Sequence, residues 1–172
     1  MLIGMEPLNG NAFLSHAVET IAAPAMPMIA RKPVSKVPDF KQIIQAHWEA
    51  LAALEIEKVL TFYTEAFSFS DPTMHINLPS KAAVREALKQ LQSYYANVKF
   101  TPTQIITGTN WVVAQHILAG SYKPPKRPEA GFKEFSIRGV SVFEFVGAKF
   151  KRQTDYYDVL TWRKQVGIEE RS

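Results

Sequence analysis

The chain has no cysteine. That removes disulfides, a thiolate nucleophile and cysteine–zinc sites, and it leaves the redox compartment open. No window approaches the length of an apolar membrane-crossing helix, so no membrane association is expected. An excess of charge is lacking too. Twenty Lys and Arg stand against 16 Asp and Glu, for a net charge of +4. Basic residues cluster only over 123–127. Nucleic-acid binding needs a basic stripe and a reading motif, and neither is found. There is no glycine-rich phosphate loop, and the four histidines share no metal-ligand spacing with carboxylates. The expected chemistry therefore uses neither metal nor cofactor.

What is present suits one domain with an extension. The 172 residues are 47% apolar and 12% aromatic, enough for a substantial core. Residues 1–38 differ from the rest: they are apolar, rich in small residues and carry Pro24, Pro27, Pro33 and Pro38. No Lys or Arg precedes Arg31. A secretory signal needs a basic start and a mitochondrial peptide is Arg-rich along its length, so neither fits. The expectation is an N-terminal arm with a helix over 11–21, packed on the domain or on a partner subunit. A cytoplasmic protein is expected. Residues 39–172 form the domain.

Helical spacing opens that domain. Asp39 caps a helix carrying Phe40, Ile43, Ile44, His47, Trp48, Leu51 and Leu54. A second helix is predicted over 56–65, a short strand over 67–70 ended by Asp71-Pro72, and a loop over 73–79. Ser80 caps a third helix over 81–95. The pattern then alternates: strands are predicted over 99–107, 111–122, 134–146 and 149–154, with an exposed loop at 123–131 and a tight turn at Gly147-Ala148. A turn carries Asp155 towards Asp158, which caps a closing helix over 159–166. Helices in one block and strands in the next argue α+β with a largely antiparallel sheet. A strand of more than ten residues spans roughly 35 Å at ~3.3 Å per residue, so it must bend within a domain this small. Gly120, Gly139 and Gly147 are the candidate bends. Such a sheet wrapped over three helices makes a cone with an apolar hollow, a place for a small molecule.

Four stretches carry a resemblance. They are Leu-Glu-Ile-Glu-Lys-Val-Leu-Thr-Phe-Tyr-Thr-Glu-Ala-Phe-Ser-Phe at 54–69, the strand ending in Gly120-Ser121-Tyr122, Arg138-Gly139-Val140-Ser141-Val142-Phe143-Glu144-Phe145, and the segment 155–167 with Tyr156-Tyr157-Asp158 and Gln165-Val166-Gly167. In order and spacing they resemble the SnoaL-like polyketide cyclases of the nuclear transport factor 2-like (cystatin-like) superfamily. That superfamily also holds limonene-type epoxide hydrolases, ketosteroid isomerases and non-catalytic members. The resemblance covers about residues 40–168. It implies a strongly bent, mixed or antiparallel sheet over three helices, and a homodimer through the outer sheet face; apolar residues on both faces of the long strands, such as Val112, Val113, Ile117 and Leu118, agree with that.

The resemblance also nominates site residues. Asp155 matches the acid/base aspartate of the cyclases and epoxide hydrolases. In an apolar hollow its charged form is disfavoured, which brings its pKa towards working pH. Asp71 resembles the proton-moving base of the isomerases, although an aspartate before proline is also an ordinary turn residue. His116 falls where the epoxide hydrolases place an arginine and Leu118 where they place its partner aspartate, so that Asp-Arg-Asp set is absent and epoxide hydrolysis is disfavoured. His47 and Trp48 lie near the isomerases' oxyanion-binding tyrosine. Ser141 stands where the family often has Asp, which removes one acid. Phe69, Phe143 and Tyr156 are expected to line the hollow, and His75 and Asn77 to lie near its rim. The implied activity is proton transfer on an apolar carbonyl compound, by aldol cyclisation, isomerisation or dehydration. The rival is a non-catalytic module that binds an apolar ligand or a partner protein through the same cone. A closed apolar pocket with Asp155 facing it separates the two.

Overall fold

A computed structural model describes residues 38–126 and 128–168. The expected arm and its helix over 11–21 lie outside the described residues. The elements run α1 (Phe40–Ala52), α2 (Ile56–Thr61), β1 (Tyr63–Asp71), β2 (Ile76–Leu78), α3 (Lys81–Leu91), β3 (Tyr95–Thr107), β4 (Trp111–Tyr122), β5 (Lys133–Val146), β6 (Lys149–Tyr157) and α4 (Val159–Val166). Six strands form one sheet in the order β2-β1-β6-β5-β4-β3. β1 and β6 are parallel and every other pair is antiparallel, so the sheet is mixed. This is the α+β architecture expected.

Caps fix the helices as the sequence implied. Asp39, Ser80 and Asp158 each accept a hydrogen bond from the backbone N–H three residues on, at 3.1, 3.2 and 3.0 Å. Gly167, at φ 70°, closes α4 with paired bonds from its own N–H to Lys164 and from Ile168 N–H to Arg163. α1 turns Phe40, Ile44, His47 and Trp48 inward, against a core that includes Phe67, Phe143 and Phe150.

Several boundaries differ from expectation. The second helix stops at Thr61, and Tyr63 already belongs to β1. Residues 56–65 keep helical spacing, but burial of Tyr63 and Phe67 on one strand face decides the outcome. The loop after Pro72 contains β2, which pairs with β1 from Phe69 to Asp71. The third helix ends at Leu91, and Tyr95 opens β3. The last strand runs on to Tyr157, so Asp155 is a strand residue and not part of a turn.

Gly139 is not a bulge site, whereas Gly120 stands opposite one, where β3 gains a residue between Ala96 and Lys99. Between β4 and β5 the register is continuous through both glycines. It shifts instead on β1 between Tyr63 and Ser68, twice on β3, and between Glu144 and Phe145 against β6. The last shift leaves Lys151 without an opposing residue, a bulge that reverses the parity of β6. Phe150 and Asp155 have opposite parity in the sequence, yet both face inward for this reason.

Gly139 provides clearance. A Cβ there would lie 2.6 Å from the Tyr157 ring and 2.9 Å from His116 Nε2. Gly139→Ala is expected to cost about 1–3 kcal/mol by forcing those rings apart. Urea unfolding of the variant measures it, and wild-type stability would mean the Tyr157 ring has room to move.

Candidate active site

The inner face of the sheet reads as rows across the strands. Val112, Phe143, Gln153 and Phe69 form one row, Ala114, Ser141 and Asp155 the next, and His116, Gly139 and Tyr157 the third. On the parallel pair, Ser70 opposes Thr154 and their hydroxyls meet at 3.1 Å. Asp71 and Asp155 are the next residues on those strands, both turned inward and both almost fully buried. Two carboxylates therefore share one end of the hollow.

The hollow is a cavity of about 530 Å³. Leu51 and Leu54 close it from α1 and its turn, Val84, Leu88 and Leu91 from α3, and Trp162 from α4. Phe69, Phe100, Leu118 and Phe135 form the sheet wall. Asp71, Gln153, Asp155 and the tyrosines Tyr63, Tyr95 and Tyr157 supply polar atoms within this apolar lining.

Asp155 is held from two sides. Gln153 Nε2 donates to Oδ1 and Oδ2 at 3.1 and 3.0 Å, and the Tyr157 hydroxyl donates to Oδ2 at 3.1 Å. Burial pushes its pKa up to about 6, and the Ser141, Gln153 and Tyr157 side chains offset part of that push. Ser141 stands opposite Asp155 in the ladder, close enough to matter electrostatically but without a formed hydrogen bond. Asp71, also facing the cavity, adds a smaller upward push.

Asp71 has a structural task as well. Its Oδ1 accepts from Thr73 N, Thr73 Oγ1 and Met74 N at 2.9, 2.6 and 3.0 Å. Thr73 Oγ1 in turn accepts from Tyr157 N at 3.2 Å. The Asp71 turn thus clamps the end of β6 beside the cavity.

His47 and His116 lie one layer behind. His47 is fully buried among Phe62, Tyr63, Phe143 and Phe150, and burial pushes its pKa down to about 3. Its Nε2 bonds the Tyr63 hydroxyl at 2.8 Å, and Nδ1 has no partner. A buried orphan acceptor is tolerated better than a buried orphan N–H. The favoured tautomer therefore carries its hydrogen on Nε2 and donates to Tyr63, which leaves the tyrosine's own hydrogen free. Tyr63 lines the cavity; burial, and to a smaller extent the charge of Asp155, raises its pKa, so it stays a donor. His116 packs on Trp48, Phe100 and Tyr157, with ring centroids 4.9, 5.6 and 5.7 Å away. Burial lowers its pKa, so it is neutral near pH 7.

Of the residues nominated from sequence, Asp155, Asp71, Phe69 and Leu118 reach the cavity. His47, His116, Trp48, Ser141 and Phe143 are buried beneath its wall. Tyr156 points away and is 43% exposed, because the bulge turns Tyr157 inward instead. His75 and Asn77 are exposed and off the lining. Sequence reasoning missed Tyr63 and Gln153, and named Tyr157 only as part of a motif. The one available signal was the period-two set Gln153, Asp155, Tyr157. Among the described residues, no group of three His, Cys, Asp or Glu is placed to hold a metal ion.

Searching curated proteins gives no match. Among solved structures, a candidate SnoaL-like polyketide cyclase from Shewanella denitrificans superposes with a TM-score of 0.68 at 16% identity, over 77% of this chain and 99% of the other. A candidate polyketide cyclase from Xanthomonas campestris gives 0.62 at 22% identity, over 73% and 95%. A protein of ketosteroid isomerase-like fold from Catenulispora acidiphila, in complex with trimethylamine, gives 0.65 at 16% identity, over 78% and 96%. At these identities the likeness shows a shared fold. The family profile of the SnoaL-like domain matches residues 44–153, from α1 to the cavity residue Gln153, and stops just short of Asp155. Because that match spans more than half of the sequence, the chain belongs to the SnoaL-like family.

Proposed function

We propose that the protein is a cofactor-free acid–base enzyme that moves a proton α to a carbonyl group of an apolar substrate, as a cyclase or isomerase does. The observation that carries this reading is Asp155: a carboxyl raised to about 6, in the wall of an apolar cavity, with its orientation fixed by Gln153 and Tyr157. A base with a pKa near working pH combines a useful ionised fraction with real proton affinity. Tyr63, supported by His47, is the donor for the oxygen that gains charge in the enolate. Both groups line the same predominantly apolar cavity. An aldol closure or a double-bond shift needs no more than this, plus a shape that holds the reacting carbons together.

Deuterium exchange into the α positions of apolar ketones such as 2-tetralone, followed by NMR, tests the reading without knowledge of the natural substrate. Exchange above the buffer rate is expected. It should rise with pH through an apparent pKa near 6, because the base works deprotonated. In Tyr157→Phe that limb moves to higher pH, since the lost hydroxyl favours the ionised carboxylate. Exchange no faster than buffer across a ketone panel would sink the proposal.

A further inference from the structure

Among the described residues, the cavity is lined by two buried carboxylates and no basic side chain. Asp71 and Asp155 are 3% and 4% exposed, and neither forms an ion pair with a Lys, Arg or His among the described residues. Among the described residues none of those basic types lines the cavity either. Every described ion pair joins side chains at the surface or partly exposed. Burying a carboxylate without a counter-charge is costly. Hydrogen bonds relieve part of the cost here, from Thr73 and Met74 to Asp71 and from Gln153 and Tyr157 to Asp155.

A second, independent feature lies beside them. Gln153 is 4% exposed and lines the cavity, yet its Oε1 has no donor. Exchanging its amide O and N would set an oxygen against both oxygens of Asp155, so the acceptor assignment stands. Around these acceptors, Tyr63, Phe69, Tyr95 and Tyr157 present aromatic surface. Negative charge, an acceptor in need of a donor and ring faces are together the chemistry that holds a cation bearing N–H.

We infer that the ligand of this cavity joins an apolar body to a protonated amine, with the ammonium group placed at Asp71, Gln153 and Asp155. This inference names the substrate class of the site and rests on the proposed function only for the use of that site. The same arrangement rejects a carboxylate or phosphate, which would meet two like charges in an otherwise apolar cavity. On the proton-transfer reading, the substrate is an amino ketone. Its ammonium group acidifies the neighbouring C–H while neutralising the paired acids.

Three probes of one shape test this: 2-(dimethylaminomethyl)naphthalene, its uncharged carbon isostere 2-isobutylnaphthalene, and 2-naphthylacetate. Binding to the full-length protein is followed by naphthalene fluorescence. At pH 7.5 the amine is expected to bind at least tenfold more tightly than the isostere, and the acetate not measurably. At pH 5 the amine's advantage should shrink severalfold, because the probe stays charged while Asp155 takes up a proton; Asp71, Tyr63, Tyr95 and Tyr157 are the other titratable groups facing the site. Equal binding of amine and isostere, or binding of the acetate, overturns the inference. Ketone exchange that depends on Asp155, together with equal amine and isostere binding, would remove the amine and keep the proton transfer. Amine preference without any exchange would do the reverse.

Discussion

Asp155→Asn is expected to lower α-exchange or turnover by about 10²–10⁴-fold while the protein stays folded. Asparagine keeps the volume and can still accept from the Tyr157 hydroxyl, but it cannot take a proton at accessible pH. The variant should be at least as stable as wild type at pH 7. Its folded state no longer holds an ionised carboxyl whose pKa burial has raised to about 6. Loss of activity without loss of stability is the signature of a group that the fold tolerates for chemistry. Far-ultraviolet circular dichroism and a thermal melt, run beside the exchange assay, separate this from unfolding. Wild-type exchange in the folded variant would remove Asp155 from the mechanism.

The same residue shows how far the sequence could be read. Its candidacy came from a resemblance in the closing segment, and its burial agrees with that. Its surroundings were harder to foresee. A bulge adds one residue to one strand, and nothing at Lys151-Arg152 announces it locally, so the inward set of β6 was ambiguous until the partner strand fixed the register. With the register set, Tyr157 and not Tyr156 shares the inward face with Asp155. Tyr63 was hidden in another way: its segment has helical spacing, and only packing against His47 from α1 and stacking on Phe67 make it a strand residue. Contacts across a sheet join residues far apart in sequence, and no window of residues contains them. Caps and long alternations are local, so α1, α4, β4 and β5 were legible almost to their ends.

The missing acid at Ser141 also changes meaning. Read along the strand, a serine there removes a carboxylate from β5. Read across the sheet, the second carboxylate comes from Asp71 on the other neighbour of β6. The pair is kept with a different geometry, next to a parallel strand. Asp71 contributes through charge, since its Oδ1 is already bound by three donors of its own turn. The site is thus asymmetric: one carboxylate is fixed as part of a turn, and the other is left with a raised pKa.

Opposite responses to acid are expected from variants of the two buried titrating groups. The folded chain holds the His47 pKa near 3, against 6.5 for an unburied histidine. Between those values the unfolded chain binds the extra proton, so His47 makes stability fall as pH falls, by about 3 kcal/mol from pH 7 to pH 4. His116, also lowered by burial, acts in the same direction. Asp155 is raised to about 6 from 3.8, so between those values the folded chain binds the extra proton. It makes stability rise as pH falls through that window, by about 2 kcal/mol at pH 4. In the wild-type protein the two contributions largely cancel. His47→Gln retains an amide that can donate to the Tyr63 hydroxyl but does not titrate. Relative to wild type it should gain about 3 kcal/mol between pH 7 and pH 4, whatever constant offset the substitution brings. Asp155→Asn should lose about 2 kcal/mol over the same interval. Urea unfolding at pH 7, 5.5 and 4 reads both slopes. Parallel curves for the two variants would mean that neither group titrates differently in the folded and unfolded states, and the acid–base assignment of the cavity would lose its physical basis.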